Sequence, residues 1–81
     1  MSALTVYSTR WCGYCHRLAR QLEREGIDYV RVDIEADSSA ADLVSAVNGG
    51  NATVPTVVFD DGTTLTNPTV ADVLAKLGPA A

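Results

Sequence analysis

Two cysteines three residues apart, Cys12 and Cys15, are the residues whose type and spacing could perform redox chemistry, and the 81-residue chain has no other cysteine. A C-x-x-C pair that opens a helix within a β-α-β unit is typical of thiol–disulfide exchange. Unpaired backbone N–H groups and the positive end of the helix dipole stabilise a thiolate at such a place. We therefore predict that Cys12 is the exposed nucleophile and that Cys15 is the shielded cysteine that resolves a mixed disulfide.

Three other interpretations of the cysteines remain open at this point. A structural zinc site needs four ligands, and Cys12, Cys15 and His16 are the only Cys or His residues, so one chain cannot complete it. The same residues also match C-x-x-C-H, the haem c attachment pattern, but the only methionine is Met1 and the first residues do not form an export signal. The third interpretation is two incidental buried cysteines. We expect no metal and no bound cofactor.

Three further features could serve the same site. Trp11 directly precedes the first cysteine, where its ring could shield a disulfide, grip a ligand or pack against the protein. His16 could support a thiolate when protonated, although a partly exposed helix position without a catalytic role is the commoner case. A cis bond between Val54 and Pro55 would present the Val54 N–H and C=O to a substrate, whereas a trans proline is commoner at the start of a strand.

Seven elements are predicted to position these residues, in the order β-α-β-α-β-β-α. A strand over residues 4–7 leads through a loop into a helix over 13–25, which Gly26 ends. Next come a strand over 29–34 and a helix from a Ser39–Asp42 capping box to 46 or 47. Residues 53–59 are a loop that runs into a third strand, residues 63–65 are a fourth strand, and the last helix begins at Pro68 and ends at Gly78-Pro79.

The connections between these elements define an α/β fold class. A helix of about twelve residues joins the first two strands, so we expect them to be parallel with a right-handed crossover. Asp61-Gly62 predicts a tight hairpin, so the last two strands are expected to be antiparallel. The result is a four-stranded mixed sheet with helices on both faces.

Composition limits the possible functions. Hydrophobic residues form 47% of the chain, which is too apolar for intrinsic disorder, and the net charge of −4 argues against nucleic-acid binding. No apolar run is long enough for a transmembrane helix, and we expect one cytoplasmic domain over residues 1–81. Residues 1–31 carry five arginines against three acids, whereas 32–81 carry one lysine against seven acids. The cysteines thus lie in a basic part that could draw an anionic substrate.

The chain resembles the glutaredoxin family over its whole length, and within that family the mycoredoxins of actinobacteria. The resemblance rests on the runs Trp11-Cys12-Gly13-Tyr14-Cys15, Val47-Asn48-Gly49-Gly50-Asn51, Thr53-Val54-Pro55-Thr56, and Asp61-Gly62 followed by Leu65-Thr66-Asn67-Pro68. It implies a thioredoxin fold with a cis Pro55, and reduction of mixed disulfides between proteins and a small thiol, which for mycoredoxins is mycothiol. Cys12 would take up the small thiol and a second thiol molecule would release it, so that Cys15 would be dispensable.

Departures from the family pattern bear on which thiol is used. Glutathione-using glutaredoxins typically have a proline where this chain has Gly13, and many have a lysine where it has Thr9. Their Gly-Gly-Cys-Asp stretch, whose backbone grips a glutathione carboxylate, is replaced here by residues 66–69, in which Pro68 lacks an N–H. We therefore expect mycothiol as the co-reductant rather than glutathione.

The predicted site contains two catalytic residues, Cys12 and Cys15. The predicted substrate- and thiol-binding residues are Arg10, Trp11, Gly13, Tyr14, Thr53, Val54, Pro55, Thr66 and Asn67. Expected partners are the small thiol and thiolated or disulfide-bonded proteins, with no nucleic acid and no membrane, and we expect a monomer. One alternative is a dithiol redoxin that thioredoxin reductase reduces and that supplies ribonucleotide reductase. Another is a redox-silent binding module.

Overall fold

The seven predicted elements occur in the predicted order in the computed structural model, which describes residues 4–77. They are β1 (Leu4–Ser8), α1 (Gly13–Arg24), β2 (Tyr29–Asp33), α2 (Ser38–Val47), β3 (Thr56–Phe59), β4 (Thr64–Thr66) and α3 (Val70–Leu77). The predicted end of the last helix, at Gly78-Pro79, lies outside the described residues. Among the helices of residues 4–77, none is both long enough and apolar enough to cross a membrane.

The strands form one mixed sheet in the order β2-β1-β3-β4. β1 is parallel to β2, as expected for strands that a helix connects, and β3 is antiparallel to both β1 and β4. In the pairing of β1 with β3, Tyr7 lies opposite Thr56. The end of β1 and the start of β3 therefore meet at the same end of the sheet. Loops that leave these two points, one with Cys12 and one with Pro55, are brought together.

Side chains alternate between the two faces of β1, and each face has its own core. On one face Leu4 and Val6 pack with residues from α1, β3 and α3, namely Leu18, Leu22, Val57, Phe59 and Val73. On the other face Tyr7 packs against a smaller cluster around α2 that contains Ile34, Ala40 and Val44. α1 and α3 therefore cover one face and α2 covers the other, which confirms the predicted α/β class with helices on both faces.

The buried residues of α1 form one apolar stripe, which contains Cys15, Leu18, Ala19 and Leu22. Gly26, just after the helix, has a φ of 71°, a conformation that glycine adopts without a steric penalty. Because Cys15 belongs to the same stripe as the leucines, the packing of the core also fixes the position of the helix end that carries the cysteines.

The predicted start of α2 is wrong by two residues, because the predicted N-cap was Ser39. Asp37 is the N-cap, and its Oδ1 accepts the N–H groups of Ser39 at 3.0 Å and Ala40 at 3.3 Å. The predicted capping box of Ser39 with Asp42 is therefore not formed at this helix start. A carboxylate is as good a cap as a hydroxyl, and the extended backbone at Asp37 aims it at the helix.

The predicted start of α3 is also wrong, because the helix begins at Val70 rather than at Pro68. Thr69 and Asp72 cap it reciprocally: the Thr69 N–H donates to Asp72 Oδ2 at 3.0 Å, and the Asp72 N–H donates to Thr69 Oγ1 at 3.1 Å. This pair satisfies two backbone N–H groups at once. Pro68, which has neither an N–H nor a polar side chain, lies before the cap.

Candidate functional site

Cys12 is the N-cap residue of α1, with extended backbone angles of −84° and 110°. Its Sγ accepts a hydrogen bond from the Cys15 N–H at 3.1 Å, and its carbonyl accepts one from the His16 N–H at 3.1 Å. The sulfur thus takes the place that a serine or aspartate oxygen usually has at a helix start. A negative charge on it would face the positive end of the helix dipole, and no acidic residue occupies the first turn of α1.

The two sulfurs differ in access less than the sequence predicted. Cys12 was expected to be exposed, but only 7% of it is, because the N-cap conformation turns its side chain toward the helix. Cys15 is fully buried, as expected. Both are free thiols in this structure. Cys12 is still the more exposed of the two, so the predicted order of exposure is correct although its predicted degree is not.

The Cys15 thiol resists ionisation. Burial is the largest cause and the interaction with Cys12 is the second, and together they raise the pKa of this thiol to about 12. The Thr9 backbone and the Arg31 charge lower the pKa and offset part of this shift. At neutral pH Cys15 is therefore a protonated thiol beside Cys12. Such a pair can form a disulfide, and the proton on Cys15 must leave when it does.

Two exposed aromatic side chains flank Cys12 in the sequence. Trp11 is 72% exposed and Tyr14 is 67% exposed, so neither ring packs in the core. The Trp11 Nε1–H donates to Glu35 Oε1 at 3.0 Å, across 24 residues of sequence. Gly13 lies between the cysteines, and a Cβ added there would meet nothing within 4 Å. Arg10 is exposed on the loop that leads to Cys12.

The Val54-Pro55 bond is cis, as the family resemblance implies. Pro55 is buried, and its carbonyl accepts the Asn67 N–H at 2.7 Å, which joins the loop after β4 to the proline loop. The Thr53 carbonyl accepts the Thr56 hydroxyl at 2.7 Å. Val54 lies outside every strand, so its backbone does not belong to the sheet's hydrogen-bond ladder.

The loop after β4 is also held by a residue for which no site role was predicted. Asn48, the C-cap of α2, donates to the Thr56 hydroxyl at 3.0 Å, and its Oδ1 accepts the Thr66 hydroxyl. Thr66 and Asn67 are thereby fixed beside the start of β3. The structure thus brings the predicted residues of the proline loop and of the loop after β4 together. In the sequence, Asn48 was one residue of the run Val47-Asn48-Gly49-Gly50-Asn51 on which the family resemblance rests, and it was given no role of its own.

His16 has a structural role that the sequence did not show. Its Nε2 lies 2.6 Å from the Arg10 carbonyl, and its Nδ1 lies 3.0 Å from Arg31 Nη2. A guanidinium only donates, so Nδ1 accepts and Nε2 carries the hydrogen that it donates to the carbonyl. Arg31 Nε also donates to Ser8 Oγ at 3.1 Å. His16 and Arg31 therefore link the loop before Cys12 to β1 and β2, and both imidazole nitrogens are used in this link.

A groove of about 330 Å³ begins at Tyr14 and runs between α1 and the start of α3. It is lined by Tyr14, Arg17, Leu18, Gln21, Asn67, Pro68, Thr69, Val70 and Ala71. Within residues 4–77, His, Cys, Asp and Glu side chains do not form a group of three or more that could hold a metal ion.

Comparison with known proteins gives a consistent result. A family model of glutaredoxins matches residues 4–63. A protein of Mycobacterium tuberculosis assigned as a glutaredoxin is 58% identical over 76 residues, which is 94% of this chain and 90% of that protein. Mycoredoxin 1 of Corynebacterium glutamicum is 46% identical over 77 residues, covering 95% of each protein.

Among solved structures, the glutaredoxin-like NrdH-redoxin from Escherichia coli superimposes with a TM-score of 0.76 at 25% identity, covering 96% of this chain and 97% of that one. That redoxin has a thioredoxin-like activity profile. The similarity confirms the thioredoxin fold that the sequence motifs predicted.

Proposed function

This chain belongs to the glutaredoxin family of thiol-disulfide oxidoreductases, and from that premise we propose that it reduces mixed disulfides between proteins and mycothiol. Residues 1–81 would act as one domain and as a monomer in the cytoplasm, where protein thiols are kept reduced. The observation that carries the proposal is the sulfur of Cys12 at the N-cap of α1, accepting a backbone N–H at 3.1 Å.

Cys12 is the nucleophile in this proposal. Its thiolate attacks the mycothiol sulfur of a mixed disulfide, the bond between that sulfur and the protein sulfur breaks, and the protein thiolate leaves and takes up a proton. Mycothiol is then bound to Cys12 through a new disulfide. A second mycothiol, as its thiolate, attacks the mycothiol sulfur of this disulfide and releases the Cys12 thiolate and a disulfide of two mycothiols, so one free mycothiol is consumed for each protein thiol that is released. Cys15 is not needed in this sequence.

The binding groove is proposed to be formed by the loops that meet beside the cysteines. Val54 can pair with an extended substrate through backbone groups that the sheet does not use. Thr66 and Asn67, held by Asn48 and by the Pro55 carbonyl, would line the far side. Arg10, Trp11, Gly13, Tyr14 and Thr53 complete the proposed set of thiol- and substrate-binding residues.

The start of α3 supports a small thiol other than glutathione. A carboxylate bound there would need free backbone N–H groups, but Pro68 has none and the Thr69 N–H already donates to Asp72. The Asp72 carboxylate would also repel a second carboxylate at the same place. Mycoredoxin 1 of Corynebacterium glutamicum, 46% identical, agrees with mycothiol as the thiol.

The test is the reduction of one model protein carrying either mycothiol or glutathione in a mixed disulfide, each with the matching free thiol as reductant. We expect turnover to be at least about tenfold faster with mycothiol, and the Cys15→Ser variant to keep most of it. Equal or faster turnover with glutathione would overturn the choice of thiol. Loss of mycothiol-linked turnover in Cys15→Ser would overturn the mechanism in which Cys12 acts without Cys15.

A dithiol redoxin is the second candidate function, in which Cys15 displaces the bound thiol and the resulting disulfide is reduced by thioredoxin reductase. Two observations favour it: Cys15 lies one hydrogen bond from Cys12, and the NrdH-redoxin structure superimposes over nearly the whole chain. Reduction of the oxidised protein by NADPH and thioredoxin reductase would support this candidate, and its failure would exclude it. Family membership favours either oxidoreductase over a redox-silent binding module.

A further inference from the structure

The side chain of Trp11 is exposed and yet held in place. An indole with 72% of its surface in solvent usually has several accessible rotamers, because few contacts select among them. The indole has a single donor, Nε1–H, and here that donor is given to Glu35 Oε1 at 3.0 Å. A carboxylate acceptor makes this a charge-assisted bond, which is stronger than a neutral one. The contact thus selects one orientation of a ring that directly precedes Cys12.

Glu35 itself extends from a well-anchored turn. The Ile34 N–H donates to the Ser8 carbonyl at 3.0 Å, which ties the turn to the end of β1. The Glu35 N–H donates to Asp33 Oδ1 at 2.9 Å, and the Ala36 N–H donates to the Asp33 carbonyl at 3.2 Å. The loop that carries the tryptophan and the nucleophile also begins at the end of β1. The two partners of the contact therefore extend from a common rigid support.

From this geometry we propose that Glu35 is a positioning residue for Trp11, holding the ring as one fixed wall of the site beside Cys12. The inference rests on the proposed function, since it assigns the wall to binding of the mixed disulfide. A ring that is ordered before the substrate arrives does not lose rotamer freedom when the substrate binds, and this favours binding. Glu35 contacts neither sulfur, so it should act on KM and leave kcat nearly unchanged.

Three variants test the proposal by kinetics. Glu35→Ala removes the acceptor, and we expect KM for the mixed disulfide to rise about fivefold, the factor that one lost exposed hydrogen bond gives, with kcat unchanged. Glu35→Gln keeps an acceptor oxygen but makes the bond neutral and weaker, so it should restore KM in part, to within about twofold of the original value. Glu25→Ala is the matched control, because it removes an exposed carboxylate at the other end of α1. A Glu35→Gln variant as impaired as Glu35→Ala would assign the effect to charge and overturn the proposal.

A double-variant comparison separates the contact from any general effect on folding. Trp11→Phe keeps an aromatic ring but has no N–H, so adding Glu35→Ala to it should change KM no further. If Glu35→Ala raises KM as much in the Trp11→Phe background as in the original chain, Glu35 does not act through Trp11. That result would overturn the proposal even if both variants fold normally.

Fluorescence gives a readout that does not depend on turnover. Trp11 is the only tryptophan in the chain, so its time-resolved anisotropy reports the motion of this ring alone. In the reduced protein without substrate, we expect a fast local motion in Glu35→Ala that is absent from the original chain and from Glu35→Gln. Equal local motion in all three would overturn the proposal. The kinetic arm uses any mixed disulfide that the original protein reduces, so failure with mycothiol would count against the proposed function only.

Discussion

Two of the helix N-termini at one end of the sheet, those of α1 and α3, are capped in opposite ways. At α1 the capping atom is the Cys12 sulfur, and no acidic side chain lies in the first turn. At α3 the first turn is closed by its own Thr69 and Asp72, with Pro68 just before it. The positive end of α1 is therefore available to a thiolate, whereas that of α3 is already neutralised by a carboxylate of the chain.

The group that reacts, the sulfur at the start of α1, therefore lies at a different helix from the cap that is proposed to distinguish one small thiol from another, at the start of α3. A helix start that is capped by sulfur favours a negative charge on the atom that must attack. A helix start that is closed by a carboxylate of the chain repels a carboxylate of the substrate. We propose that α1 supplies the chemistry that the family shares and that α3 supplies the selection among small thiols.

The largest effect is expected from exchanging the capping atom of α1. Cys12→Ser keeps a good N-cap, so the free energy of unfolding should change by no more than about 0.5 kcal/mol. Disulfide exchange requires the sulfur, so turnover should fall on the order of 10³-fold or more. Turnover assays and urea denaturation of the same preparation measure both quantities. Substantial turnover in a stable Cys12→Ser protein would show that the α1 cap is not the reacting group.

The next effect concerns Cys15, one turn into the same helix, and appears as a pH dependence of stability. Its thiol keeps its proton in the folded chain up to a pKa of about 12, whereas the unfolded chain releases it near 9.0. Between these values the unfolded state binds fewer protons, so the free energy of unfolding should fall as pH rises. Below pH 9 this contribution should be constant.

Other groups also titrate in that range, so the control is Cys15→Ala. Urea denaturation of both proteins between pH 8 and pH 11 isolates the contribution of Cys15 as the difference in slope. We expect the free energy of unfolding to fall more steeply with pH in the original chain than in Cys15→Ala. Parallel curves would mean that burial does not hold the proton on Cys15, and the contrast between the two cysteines would be lost.

Removing the carboxylate that caps α3 should have a smaller effect, both on the rate of turnover and on the free energy of unfolding. Asp72→Ala frees the Thr69 N–H and removes a carboxylate, so the rate with glutathione should rise severalfold relative to that with mycothiol. Loss of half of a capping box should lower the free energy of unfolding by about 1 kcal/mol. Asp60→Ala, at an exposed position in the β3–β4 turn, is the control for charge. An unchanged thiol preference in Asp72→Ala would remove α3 from the discrimination.

The smallest effect is expected at the first residue of α1. Gly13 lies at the N1 position, where proline is favoured, and an added Cβ would meet nothing within 4 Å. Gly13→Pro should therefore raise the free energy of unfolding by about 0.5 to 1 kcal/mol, mainly by restricting the unfolded chain. Thermal or urea denaturation measures this. A loss of stability would show that the Gly13 N–H has a hydrogen-bond partner in the folded chain that proline cannot satisfy.

Local sequence patterns predicted most of the fold and the centre of the site. The stripe of α1 is periodic and the Cys12–Cys15 spacing is local, so both could be inferred from neighbouring residues. The helix starts were less certain because several capping residues stand close together: Asp37 and Ser39 at α2, and Pro68 and Thr69 at α3.

Contacts between distant segments could not be inferred in this way. His16 and Arg31 meet because β2 lies parallel to β1, and Trp11 meets Glu35 because both loops begin at the same end of the sheet. Neither pair has a local sequence signal. The low exposure of Cys12 has a different, local origin, since it follows from the rotation of its side chain toward its own helix.

The central claim, that the sulfur of Cys12 reacts while that of Cys15 is held as a buried thiol, is tested most directly by alkylation of the reduced, folded protein. A limiting amount of iodoacetamide at pH 7 is followed by mass-spectrometric mapping of the two cysteines. The account predicts label on Cys12 at least about tenfold faster than on Cys15, with the difference removed by denaturation. Equal and slow labelling of both cysteines in the folded protein would contradict it.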